Sequence, residues 1–123
     1  MSQPCLVPSP RVHITHPQYR GDYVNSWDGA DAAVARGFNY HQGPEWVWPL
    51  GYYLRACLAF GAKTRADVVA ALANHEAHLG ASAWRGLPEL TNAGGAPCAD
   101  SCDTQAWSMS TLLDALYDAE AGR

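Results

Sequence analysis

Three stretches of the chain carry apolar residues at helical spacing, and the stretches between them do not. Leu50, Tyr53, Leu54, Cys57 and Leu58 fall on one face of a first helix, with Gly61 as its stop. Its start has two solutions. Pro44 at the first helical position would place Pro49 inside the helix, where a backbone hydrogen bond is lost, whereas Pro49 as first residue leaves Gly43 to Trp48 as a loop. A second helix is predicted from Thr64 to Leu79, capped by Thr64 with Asp67 in its first turn, and with Val68, Val69, Leu72 and Leu79 on its apolar face. A third runs from Thr104 to Tyr117, capped by Asp103, with Ala106, Met109, Leu112, Leu113 and Leu116 facing inward. After Asp118 the tail, residues 119–123, is small and polar and is expected to fray.

The intervening stretches lack periodicity. Residues 1–36 form an irregular lead-in, rich in Pro, Gly and Asp; Pro4, Pro8, Pro10 and Pro17 exclude helix interiors, and Asp28-Gly29 marks a turn. Within it Tyr19, Asp22, Tyr23 and Trp27 are within the repertoire of ligand contacts, although pinning the loop to its domain is the favoured role. Trp84 to Cys102 is a long connection punctuated by Pro88, Gly94, Gly95 and Pro97, of the kind that is either functional or disordered. No convincing strand pair emerges. The expected class is therefore all-α, with polar, aromatic loops at the ends of successive helices, as in stacked helical hairpins. Three helices alone bury little, so their apolar stripes call for further helices.

Composition narrows the partners. Five Trp and six Tyr against two Phe weight the rings toward those with a hydrogen-bonding handle, which favours a polar ligand over a lipid. The net charge of −4, with Lys and Arg spread singly, provides no basic stripe for nucleic acid or for a membrane surface. The chain has no long apolar run and no signal-peptide pattern, so a cytoplasmic location is expected. Cys5, Cys57, Cys98 and Cys102 are irregularly spaced and read as free thiols. Cys98-x-x-x-Cys102 lacks a second pair at finger spacing, and His75 and His78 lack a third ligand. The two histidines are read as surface or helix-end chemistry, and neither a metal nor a cofactor is assigned.

Candidate chemistry concentrates in Phe38 to Trp48. A pyranose offers hydroxyls around its rim and a slightly apolar C–H face, so its site needs paired donors and acceptors together with flat rings. Asn39, Tyr40, His41, Gln42 and Glu45 supply the former, Trp46 and Trp48 the latter. Rings near a helix start more often pack a core, but so many polar groups on one short stretch would be costly to bury without partners. Glu45 has two equal readings: binding glucose hydroxyls beside His41 and Gln42, or capping the following helix with its charge.

Three segments carry a family resemblance: Gly37-Phe-Asn-Tyr-His-Gln-Gly-Pro-Glu-Trp-Val-Trp-Pro-Leu-Gly-Tyr, Gly86-Leu-Pro-Glu-Leu-Thr-Asn92, and Cys98-x-x-Ser-Cys-x-Thr-Gln-Ala-Trp-Ser108. They closely resemble the extreme C-terminus of eukaryotic glycogen debranching enzymes, over about Gly37 to Asp118. The resemblance implies that residues 37–118 are the last helices of an (α/α)6 toroid of the six-hairpin glycosidase type. In that family the toroid hydrolyses α-1,6-linked glucose at glycogen branch points with inversion, and a separate TIM-barrel part is a 4-α-glucanotransferase. The implied partners are glycogen or a branched limit dextrin, and the missing remainder of the toroid.

An inverting glycosidase needs two carboxyl groups roughly 6.5–9.5 Å apart, one on each side of the scissile bond. Glu89 matches the position of the family's general base, and Thr91 and Asn92 are expected to hold the carboxylate or its water. The family's general acid lies on an earlier helix outside this chain, so the isolated chain is expected to be inactive. Trp84 is expected to line the same pocket. Trp107 is read chiefly as packing, while for Gln105 and Ser101 ligand contact and capping are equally good. The alternative function is a non-catalytic glucan-binding or interaction module.

Overall fold

A computed structural model describes residues 21–25 and 28–122. Cys5, the four lead-in prolines, Tyr19 and Trp27 lie outside the described residues. Helix dominates: α1 spans Trp48–Ala59, α2 Arg65–Ala81 and α3 Ala106–Ala121, with 3-10 turns at Ala35–Gly37 and Ala93–Gly95. The expectation of no strand pair needs correction. Glu45–Trp46 (β1) and Leu90–Thr91 (β2) pair antiparallel, with Glu45 opposite Thr91 and Trp46 opposite Leu90. The Val47 N–H donates to the Glu89 carbonyl at 3.1 Å and continues the ladder. Two residues per strand are too few to show an alternating pattern in the sequence.

α1 starts close to the later of the two solutions. Val47 is its N-cap, and Pro49 sits in the first turn, where it has no hydrogen bond to lose. Gly61, at φ 65°, ends it: the Gly61 N–H donates to the Leu58 carbonyl and the Ala62 N–H to the Cys57 carbonyl, which is a Schellman motif. Tyr53, placed by its spacing on the inner face, is exposed; Leu50, Gly51, Leu54 and Cys57 are buried.

The start of α2 is as expected. The Asp67 N–H donates to Thr64 Oγ1 at 3.2 Å and the Thr64 N–H to Asp67 Oδ2 at 2.8 Å, a reciprocal capping box. Its buried face is Val68, Leu72 and His75, with Leu79 at the margin. Val69 is half exposed, because α2 is covered along one narrow line only. His75 is buried rather than at the surface, contrary to the sequence reading.

α3 departs most from expectation. It begins at Ala106 with Gln105 as N-cap, so Asp103 does not cap it, and it runs on to Ala121, with Gly122 at φ 78° as the stop. Ala119 is buried, and Ala119, Glu120 and Ala121 continue the helix. The buried face is Ser108, Thr111, Leu112, Ala115 and Ala119, whereas Leu113 is 66% exposed. The reason is close approach. A Cβ added at Gly51 would come within 2.2 Å of the Thr111 carbonyl oxygen, so α1 and α3 meet through small residues. Thr111 Oγ1 donates to the Trp48 carbonyl at 2.9 Å across this contact. At the far end Arg55 pairs with Asp118 at 2.7 Å. Val47, Leu50, Leu54, Val68, Leu72, Leu87, Leu112, Ala115 and Ala119 form the core between the helices.

Candidate functional site

The stretch Asn39 to Trp46 is shaped by its turns. Gln42 and Gly43 donate main-chain N–H bonds to the Asn39 carbonyl, at 2.9 and 3.1 Å. The Asn39 side chain is fully buried; its Nδ2 donates to the carbonyls of Gly21 (3.2 Å) and Asp22 (2.6 Å), so it fastens the incoming chain rather than facing a ligand. Gly43 permits this approach, since a Cβ there would lie 1.9 Å from the Gly21 carbonyl oxygen. Tyr40 is thereby set at the centre of a ring cluster, its centroid 5.0 Å from Tyr23, 4.7 Å from His41 and 4.8 Å from Trp46. His41 stacks on Trp46 at 5.5 Å with planes 8° apart. His41 and Gln42 are exposed on the outer side of the cluster.

Tyr40 reaches Glu89 directly. Its hydroxyl donates to Glu89 Oε1 at 2.6 Å, and Gln105 Nε2 donates to the same oxygen at 3.0 Å. Oε2 accepts no hydrogen bond among the described residues. The Glu89 backbone is fixed on both sides, its N–H donating to the Cys102 carbonyl at 2.9 Å and its carbonyl accepting from Val47. Burial, followed by the hydrogen bond and negative charge of Glu89, pushes the Tyr40 phenol well above its ordinary range, so it remains a donor at neutral pH. Thr91 and Asn92, expected to hold Glu89, are engaged elsewhere: the Thr91 hydroxyl donates to Glu45 at 3.5 Å, and Asn92 Oδ1 accepts the Tyr23 N–H at 3.1 Å. Gln105 does hold Glu89. Its spacing from Glu89 carries no local signal.

Glu45 occupies neither of its two sequence-derived positions. It is 2% exposed, and its carboxylate accepts from the N–H groups of Gly95 (3.1 Å) and Gly94 (3.3 Å) as well as from Thr91. The N-cap of α1 receives no side-chain bond. Trp84, 74% exposed, lines a separate cleft of about 200 Å³ with Pro88, Pro97, Cys98, His78 and Asp103. The ring-lined cleft shares none of these residues. Trp48 and Trp107 stack at 4.3 Å, 10° apart, and with His41, Trp46 and Pro49 border a cleft of about 370 Å³. Trp107 therefore packs, as expected, yet remains 47% exposed.

Cys57, Cys98 and Cys102 are free thiols, and burial raises the Cys98 thiol above its usual range. Among the described residues, no group of three or more His, Cys, Asp or Glu side chains is placed to hold a metal. No helix of the described residues is long and apolar enough to cross a membrane.

The chain thus brings a carboxylate, a phenol and an amide together at Glu89, and borders a cleft with two stacked ring pairs. The family model described as amylo-alpha-1,6-glucosidase matches residues 11–114, and the chain belongs to this family. A similar relative is the glycogen debranching enzyme of Saccharomyces cerevisiae, 44% identical over 116 residues. That match covers 81% of this chain and 8% of the relative, so the chain spans under a tenth of the length of the protein it resembles.

Proposed function

We propose that this chain contributes the general-base side of an inverting α-1,6-glucosidase site, with Glu89 as the base. The supporting observation is the two-donor clamp on Glu89 Oε1, with Oε2 accepting no hydrogen bond among the described residues. In this reading Oε2 accepts a proton from a water as that water's oxygen bonds to the anomeric carbon of the terminal glucose. The bond from that carbon to the 6-oxygen of the branch point breaks with inversion, and the departing oxygen takes a proton from a general acid outside this chain. Tyr40 and Gln105 fix the rotation of the carboxylate, so that it need not reorient as the proton moves.

The substrate that fits the family is glycogen or a branched limit dextrin, in the cytoplasm. Residues 37–118 are read as the closing helices of an (α/α)6 toroid, and the remainder of the toroid supplies the acid. His41 and Gln42 offer exposed hydrogen-bonding groups, and the half-buried Trp46 a stacking ring, around the Tyr40 that bonds Glu89. Trp84 lines its own cleft with Pro88 and Leu90, the chain neighbours of Glu89, and Asn39 and Glu45 act from below the surface. In the full-length polypeptide that carries this segment, Glu89→Gln is expected to lower glucose release from α-1,6 limit dextrin by about 10²–10⁴-fold while sparing α-1,4 transfer. Near-normal glucose release would refute the assignment.

A second reading, glucan binding without catalysis, draws on the cleft between the His41–Trp46 and Trp48–Trp107 stacks. It requires saturable binding of maltooligosaccharide by the chain itself, and titration calorimetry showing no heat with maltoheptaose would end it.

A further inference from the structure

We infer that Glu45 is a positioning residue for Glu89, an internal carboxylate that pins the register in which β2 presents the base. The inference rests on the reading of Glu89 given above. Glu45 lies almost wholly out of solvent, and no Lys or Arg pairs with it among the described residues. Burying a carboxylate in this way is costly unless donors replace its water. Three do: the N–H groups of Gly94 and Gly95 and the Thr91 hydroxyl. Gly94 and Gly95 adopt φ of 72° and 78°, a left-handed turn that aims successive N–H groups at one anion and that residues with a side chain rarely adopt.

The location of this cradle matters more than its energy. A ladder of two residues per strand has no hydrophobic pattern long enough to hold its own register, and a slip of one residue turns every side chain to the opposite face. Glu45 stands directly opposite Thr91 and holds both that residue and the turn beyond it. Its neighbour Trp46, on the other face of β1, packs on Tyr40 and His41. Glu89 immediately precedes β2 and bonds to Val47 immediately after β1, so the register that Glu45 pins is the one that delivers Glu89 to Tyr40 and Gln105.

The test uses the full-length polypeptide carrying this segment, with Glu45→Ala, Glu45→Gln and Glu89→Gln compared by hydrogen exchange and by steady-state glucose release from limit dextrin. For Glu45→Ala the expected result is faster exchange confined to residues 88–98, with kcat at least tenfold lower at unchanged KM. Glu45→Gln, which keeps the length and one carbonyl acceptor, should recover part of that loss; it also decides the matter if the alanine variant does not fold. A raised KM at unchanged kcat would make Glu45 a substrate contact and overturn the inference, as would wild-type exchange and kinetics in folded Glu45→Ala. If Glu89→Gln still releases glucose, the base assignment falls, and the exchange data alone decide whether Glu45 pins the strand.

Discussion

At the scale of single residues, the site depends on two donors meeting one carboxylate oxygen. Tyr40→Phe keeps the ring, and with it the contacts to Tyr23, His41 and Trp46, but removes the 2.6 Å bond to Glu89. A hydrogen bond to a charged partner contributes roughly 1.5–3 kcal/mol. If that strength is felt in the transition state, kcat for glucose release should fall by about tenfold to a hundredfold in the full-length polypeptide with little change in KM. Unaltered kcat would show that the Glu89 carboxylate is oriented without the phenol. The residues of this stretch were legible as a polar and aromatic concentration, but their individual duties were not. Asn39 and Glu45 look like ligand groups in a sequence because both are strong hydrogen bonders. In the fold they satisfy carbonyls and amides up to 50 residues away, partners that no local pattern can reveal. The Glu89 clamp was hidden for the same reason, since Tyr40 and Gln105 lie 49 and 16 residues from it.

At the scale of elements, helices were legible where local chemistry decides them and misread where tertiary contact does. The Thr64–Asp67 box and the Gly61 stop are local, and both stand where the sequence places them. The inner face of α3 is not local. Selecting the bulkiest residues favours Leu113, yet α1 approaches so closely that Ser108, Thr111, Ala115 and Ala119 are buried instead. Gly51 is the cause of that approach, and its replacement is correspondingly informative. In Gly51→Ala the new Cβ would meet the Thr111 backbone, which cannot give way as a flexible side chain can. Overpacking of this sort costs about 1–3 kcal/mol. Thermal unfolding followed by circular dichroism should show a lower Tm, and separation of α1 from α3 should also open the Trp48–Trp107 stack and change tryptophan fluorescence. A Tm equal to that of the unmodified chain would mean that the two helices can part without cost.

At the scale of the whole molecule, the fold carries a buried titratable group whose state follows pH. His75 lines a groove between α2 and α3 with Leu72, Leu79, Leu87, Met109 and Leu112. Burial drives its pKa from 6.5 down to about 4; the Ala71 carbonyl opposes the shift and His78 adds to it. Glu76 is the other titratable group bordering that groove, and none borders it from α3. The imidazole is thus neutral in the fold at pH values where the unfolded chain binds a proton. For a group lowered in this sense, stability is complete above about pH 6.5 and is lost as pH falls toward about 4, by up to roughly 3 kcal/mol. Asp67, whose carboxyl is held below its usual range by the Thr64 bonds, contributes its own loss lower still, as pH falls through its lowered pKa. Urea midpoints measured between pH 4 and 7 should therefore fall toward acid in the unmodified chain and much less in His75→Leu, which fills the same groove with no proton to take up. Parallel acid slopes for the two proteins would show that His75 is not the group responsible.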